Sequence, residues 1–322
     1  MKALITGVTG FAGGHLAEHL LEAGDQVLGC SSSGRWPDWT GGIVRGRVPL
    51  VVWDFAGQSR PAGRGLARVV EFAPDCIYHL AALSVPDDCG HEQPTPGARA
   101  VNIEGTVRVL ELAASLSPQP RVLFVSTSHV YAPVTPERAQ VDETAPLGPR
   151  RGYGMTKLAA EEKVRIVGRD LQLDTLIARA FQHTGPGQTA PMMLPQWASQ
   201  FVRDGGGPVR VKNREAWIDL SDVRDVVRAY RLLALHGEPG GTYNVGSGVN
   251  RRAGDVLDLL AQLCGSRRAV VESQPGRKQD PIADISRLTA RTGWRPQIPL
   301  ARTLADTLDY WRRRELHYVQ AV

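Results

Sequence analysis

A chain of 322 residues, 42% hydrophobic and 22% charged, has the composition of a folded globular protein and exceeds what one core usually serves, so two unequal lobes are expected. A net charge of +5, spread along the chain, suits an anionic small molecule better than the dense basic stripe that nucleic acid requires. No apolar run approaches the ~20 residues of a membrane helix, and the amino terminus lacks a signal peptide's apolar stretch, so neither membrane nor export is expected and the location reads as cytoplasmic.

Short apolar runs at 3–6, 26–30, 48–53, 76–80, 122–126 and 175–178 read as strands. Between them, 14–23, 65–72, 102–116 and 157–168 carry apolar positions at helical spacing. That alternation defines βαβ units and predicts an α/β fold, a doubly wound parallel sheet of Rossmann type. Segments 31–47 and 56–64 are rich in Gly, Arg, Ser and Pro and read as loops, as does 182–195. A helix is expected over 222–235, a strand over 242–245 and a helix over 254–263. The dinucleotide lobe then spans 1–179 with roughly 213–246, and a smaller α/β lobe takes 180–212 and 247–322. Cys30, Cys76, Cys89 and Cys264 are scattered without metal or redox spacing, so reduced thiols and no metal site are expected.

Three motifs carry chemistry. Thr6-Gly7-Val8-Thr9-Gly10-Phe11-Ala12-Gly13 joins the first strand to the first helix, where glycines permit a tight turn and a pyrophosphate meets the positive end of the helix. The second strand ends in Ser31-Ser32-Ser33-Gly34-Arg35 with no carboxylate to hold a ribose 2′-hydroxyl, which favours NADP(H) and leaves NAD(H) open. Arg35 either meets a 2′-phosphate or is a solvated loop residue, and Asp54 either meets the adenine or closes a turn. Tyr153 and Lys157 are four apart, on one helix face, and a neighbouring ammonium stabilises a phenolate for proton transfer. Finally, the strand ending Ser126-Thr127-Ser128-His129 places hydroxyls at the edge that faces the cofactor crevice in a parallel sheet.

Together with His79-Leu80-Ala81-Ala82, Val101-Asn102-Ile103-Glu104-Gly105-Thr106, Asp222-Val223-Arg224-Asp225, Tyr243-Asn244-Val245-Gly246-Ser247-Gly248 and Thr292-Gly293-Trp294-Arg295-Pro296, these motifs resemble the extended short-chain dehydrogenase/reductases that modify nucleotide sugars. The resemblance implies Thr127, Tyr153 and Lys157 as catalytic residues. It implies cofactor contacts from Gly7, Gly10, Phe11, Ala12, Gly13, Ser32, Arg35, Asp54, Phe55, Leu80, Ala81, Ala82 and Ser126 as well as Tyr153 and Lys157. Sugar-nucleotide contacts are implied for Ser128, Arg179, Gln182, His183, Asn213 and Arg277. For Arg277 the alternative is a surface cation with Lys278 competing, and for His183 a loop-orienting role.

Ser128-His129 stands where the family's dehydratases carry a carboxylate pair or Ser/Glu, which disfavours elimination of water. The strings around Thr127 and Gln182, with Val211 to Ala216, are most similar to members that reduce a GDP-linked 4-keto-6-deoxymannose to GDP-rhamnose. A redox-neutral 4-epimerase and a catalytically silent dinucleotide-binding scaffold are the alternatives. Two positions depart from the family pattern: Gln182 replaces an Asn, and Ile218 replaces an Arg. The resemblance further implies a homodimer formed through 102–116 and 157–168.

Overall fold

The computed structural model describes residues 1–320 apart from 58, 59, 62 and 204–206. Apolar β-rich segments alternate with amphipathic ones, and the chain accordingly runs β1 (Lys2–Thr6), α1 (Phe11–Glu22), β2 (Gln26–Ser31), α2 (Gly42–Arg47), β3 (Leu50–Val52), α3 (Arg64–Phe72) and β4 (Cys76–His79). Next come α4 (Pro96–Arg99), a π-helical turn Ala100–Glu104, α5 (Gly105–Ser115), β5 (Arg121–Thr127), β6 (Gln140–Val141), α6 (Gly152–Asp170) and β7 (Thr175–Ala180). They are followed by β8 (Gln182–Thr184), α7 (Met193–Val202), β9 (Val209–Val211), β10 (Ala216–Asp222), α8 (Val223–His236) and β11 (Thr242–Val245).

The central sheet has the order β11-β7-β5-β4-β1-β2-β3, and every neighbouring pair is parallel. The chain works outward from β1 to β3, then crosses back to β4. This reversal opens a crevice at the carboxyl ends of β1 and β4, the place where such sheets bind ligands. One face of the sheet is covered by α1 and α8 through residues such as Leu16, Leu20, Val226 and Tyr230. The other is covered by α5 and α6 through Val109, Leu112 and Val164. The doubly wound fold expected from the alternation is the one observed.

A third core joins Leu194 and Trp197 of α7, Ile218 and Leu220 of β10, Leu257, and Leu304, Leu308 and Trp311 of the last helix. Leu288 and Trp294, although late in the chain, pack into the first core instead.

The loop expected over 31–47 contains α2, whose Val44 is buried, and Trp39 lies against Gly14 of α1. The loop expected over 182–195 contains β8, which pairs in parallel with β10, and the start of α7. Three residues are too few to display an alternation, so only the pairing reveals that strand. Both catalytic-motif helices begin earlier than their apolar periodicity: α6 starts at Gly152, placing Tyr153 in its first turn, and α1 starts at Phe11. Packing of glycines against neighbouring backbone fixes those starts, and hydrophobic spacing does not register it.

Candidate active site

The Gly7 turn is built for close approach. Gly7 has φ +70°, and a Cβ there would stand 2.8 Å from Ala81 Cα; a Cβ on Gly13 would stand 2.2 Å from the Gly7 carbonyl oxygen. The Gly10 N–H donates to Gly7 O at 2.9 Å. Helix α1 begins without a side-chain cap and without an acidic residue in its first turn, so its positive end is left for an external anion. This cradle fits the diphosphate of a dinucleotide.

Beside it, Thr6 Oγ1 lies 2.7 Å from His79 Nδ1 and accepts from Ala81 N at 3.2 Å, while His79 Nε2 lies 3.0 Å from Thr106 Oγ1, which donates to Asn102 O at 2.7 Å. The chain of bonds has one consistent direction: Thr6 donates to Nδ1, and Nε2–H donates to Thr106. His79 is therefore neutral, and burial pushes its pKa down to about 3. The bond from Leu80 N to Thr6 O at 3.3 Å holds the Leu80, Ala81 and Ala82 segment along the turn, all three half-buried.

At the end of β2, Ser31 Oγ bonds Thr9 Oγ1 at 3.3 Å and Ser33 Oγ at 3.2 Å, and Ser32 and Arg35 are exposed. Asp54 is exposed after β3 and accepts from Ala56 N at 3.0 Å, a turn-closing bond. Phe55 departs from the expected cofactor contact: its ring is buried against Trp53, His79 and Gly105, so its side chain is a core residue. Ser126 likewise turns inward, donating to Glu161 Oε1 at 2.6 Å. Apolar packing holds the Phe55 ring, and the Glu161 carboxylate holds the Ser126 hydroxyl, in the interior.

Thr127, Tyr153 and Lys157 are brought together. Thr127 ends β5 next to Tyr153 and accepts from His129 N at 3.3 Å. Burial pushes the Tyr153 phenol up to about 12, so it is protonated at neutral pH. Lys157 is buried with Nζ 4.2 Å from the centre of the Phe124 ring, and burial pushes it down to about 7 against the opposing charge of Glu161. A half-buried phenol one helical turn from a buried lysine is an arrangement suited to proton transfer. The His129 ring meets Tyr153 edge-on at 5.7 Å.

The expected sugar-nucleotide residues divide. Arg179 is removed from that group: it is 2% exposed and spends its guanidinium on Glu161 at 3.0 and 2.8 Å, Tyr131 Oη at 3.1 Å and Glu143 O at 3.1 Å. A buried cation is retained only when paired, and β7 is an inner strand, flanked by β5 and β11. Gln182 donates to Asp280 Oδ2 at 2.8 Å, tying the segment that follows β7 to a residue 98 positions later. His183 stacks on Phe11 at 6.1 Å with Nδ1 2.9 Å from Phe181 O, which fixes the proton on Nδ1. Burial holds its pKa below the ordinary histidine value. Ser128 is buried beside Thr127. Asn213 donates to Gly276 O at 2.7 Å, and Arg277 is exposed next in the chain. Ile218 belongs to the third core, which accounts for an apolar residue there.

Two residues at the site, Glu161 and Asp280, lie outside the motifs, and Asn102, within one of them, had no role assigned to it. Asn102 sits in the π-helical turn, accepts from Leu83 N at 2.8 Å, and donates to Leu83 O and Thr156 Oγ1, both at 3.0 Å. Glu161 lies one turn past Lys157, a spacing that was open to reading. Asp280 reaches Gln182 across 98 residues, and nothing local marks it.

A glycine-cradled helix end beside a Thr/Tyr/Lys proton-transfer set on a doubly wound sheet defines a dinucleotide-dependent enzyme. Residues 3–246 match the model of the NAD dependent epimerase/dehydratase family, and the chain belongs to that family, the extended short-chain dehydrogenase/reductases. It is 28% identical over 97% of its length to the GDP-6-deoxy-D-mannose reductase of Pseudomonas aeruginosa, covering 98% of that protein. The structure of RMD from Pseudomonas aeruginosa complexed with NADPH superposes with a TM-score of 0.82 at 26% identity, covering 97% of this chain and 98% of that one. A Thermus thermophilus UDP-glucose 4-epimerase in complex with NAD gives 0.83 at 26% identity, covering 97% and 99%.

Proposed function

We propose that the chain reduces the 4-keto group of a nucleotide 4-keto-6-deoxy sugar, namely GDP-4-dehydro-6-deoxy-D-mannose to GDP-D-rhamnose, with NADPH preferred over NADH. The observation that carries the reading is the clustering of Thr127 and Tyr153 with buried Lys157, with Ser128 and His129 next to them and no carboxylate pair. The full-length likeness to a GDP-6-deoxy-D-mannose reductase supports the substrate.

The dinucleotide, when bound in the Gly7 cradle, supplies the hydride. Tyr153 gives its phenolic proton to the oxygen that becomes the C4 hydroxyl. Thr127 donates a hydrogen bond of its own to that oxygen and orients it. Lys157 bonds the nicotinamide ribose and lowers the Tyr153 pKa as the site loads. Exposed Arg35, with Ser32 and Ser33, meets the 2′-phosphate. The substrate lies between the Tyr153 edge and Gln182, with Asn213 and Arg277 toward the nucleotide. We place the boundary between the lobes within β10, consistent with Ile218 and Leu220 packing in the third core. We take the enzyme as a cytoplasmic homodimer; among the described residues no helix is long and apolar enough to cross a membrane.

The test is NADPH oxidation with GDP-4-dehydro-6-deoxy-D-mannose generated in place, and identification of the product by NMR. Unchanged NADPH rejects the assignment. Copurified NAD with interconversion of C4 epimers and no net oxidation of NADPH favours the 4-epimerase reading, which the likeness to a UDP-glucose 4-epimerase keeps in view.

A further inference from the structure

Behind the Tyr153/Lys157 pair lies a buried ionic network with no part in the steps above. Glu161 follows Lys157 by one turn of α6, so the two side chains share a helix face, and their exposures are 0% and 2%. The Glu161 carboxylate accepts from Ser126 Oγ at 2.6 Å, from Arg179 at 3.0 and 2.8 Å and from Arg165 at 2.8 Å. Arg179 continues to Tyr131 Oη, which donates to Asn244 Oδ1 at 2.6 Å. A buried ion pair is weak as a source of stability, since apolar side chains of similar volume fill such space at least as well. Its position one residue before Thr127 and one turn after Lys157 gives it another use.

We infer that Glu161 is a positioning residue for the reaction: its buried carboxylate keeps the Lys157 ammonium charged and, through Ser126, anchors the strand end that carries Thr127. The inference rests on the proposed roles of Thr127, Tyr153 and Lys157. Arg179 of β7 is a cation but is spent on the Glu161 carboxylate itself, and the other titratable groups near Lys157 on other elements are neutral. His79 on β4 has both ring nitrogens bonded and is held uncharged by burial, and the Cys89 thiol of the turn Pro86–Cys89 is pushed up by burial and by Asp88. On its own helix, Tyr153 is a neutral phenol. Phe124 of β5 offers only a ring face. Glu161 supplies the negative charge, and its bonds to Arg179, Ser126 and Arg165 keep it ionised. Its removal makes the ammonium harder to hold, so Lys157 loses its proton at lower pH.

The chain has five lysines, so selective 13C labelling at lysine Cε gives a spectrum simple enough to titrate, with Lys157 identified by its absence in Lys157→Met. In Glu161→Gln the Lys157 midpoint should fall by at least about one pH unit, a tenfold change in the ammonium fraction at a given pH. Glu161→Asp should restore it toward wild type. The alkaline limb of NADPH-dependent reduction should move down with the midpoint, with KM for the sugar nucleotide little changed. If Glu161→Gln alone does not fold, the double variant Glu161→Gln/Arg179→Met removes the pair without stranding a buried cation, and the same fall is expected. A folded variant whose Lys157 titrates as in wild type overturns the inference and leaves Glu161 a structural residue. Wild-type protein that titrates as described but does not oxidise NADPH would sink the proposed reduction instead, and the two failures are told apart.

Discussion

Tyr153 holds its proton at neutral pH because burial raises the phenol. Replacing Tyr153 with Phe keeps the ring and its contact with His129 but removes the acid. We expect kcat to fall by about 10²–10⁴-fold with NADPH affinity near wild type, read from steady-state kinetics beside direct titration of the cofactor. Arg35→Ser should lower kcat/KM with NADPH by roughly ten- to a hundredfold and leave NADH unchanged, the loss of a charge-assisted bond. Equal effects on both cofactors would remove Arg35 from the 2′-phosphate site. Residue types at short spacing were legible at this scale: Gly7, Gly10, Gly13, Tyr153 and Lys157 announce their chemistry in place. Arg179 misled because its partner, Glu161, is 18 residues away on another element, and only packing turns that guanidinium inward. Phe55 misled for the same reason.

The turn from β1 into α1 depends on absent side chains. A Cβ on Gly13 would enter the Gly7 carbonyl oxygen at 2.2 Å, whereas one on Gly10 would meet that oxygen at 3.2 Å. Gly13→Ala should cost roughly 1–3 kcal/mol and abolish the thermal shift given by NADPH, and Gly10→Ala should do much less; a scan of both variants with and without cofactor decides. On β4, His79 joins Thr6 of β1 to Thr106 of α5 and must stay neutral. Its folded pKa is depressed to about 3, below the ordinary 6.5, so its contribution to stability is complete above about 6.5 and is lost as pH falls through that range toward 3. His79→Gln should lessen the decline of unfolding free energy between pH 6 and 4 by about 1.4 kcal/mol per pH unit, one proton's worth, in urea titrations. An unaltered slope would mean that other groups dominate. Strand and helix positions in the first half followed from apolar periodicity. Elements of two or three residues, such as β6 and β8, carry no period to read and exist because neighbouring strands offer unpaired backbone groups.

At the scale of the molecule, Gln182, two residues past the end of β7, bonds Asp280 98 residues later in the chain. The proposed homodimer through α5 and α6 predicts a species of twice the chain mass in analytical ultracentrifugation. Ile166, an exposed apolar residue of α6, should give monomer when changed to Glu; a monomeric wild type would discard the arrangement. The sequence by itself determined the doubly wound sheet, the cofactor cradle and the proton-transfer pair, because each is written in contiguous residues whose period or spacing reflects local backbone geometry. Only the tertiary structure decided which buried charges serve the site. The partnerships of Glu161 with Arg179 and Ser126, of His79 with Thr6 and Thr106, and of Gln182 with Asp280 form between segments distant in the chain, where burial in a shared core, not local spacing, selects the partner.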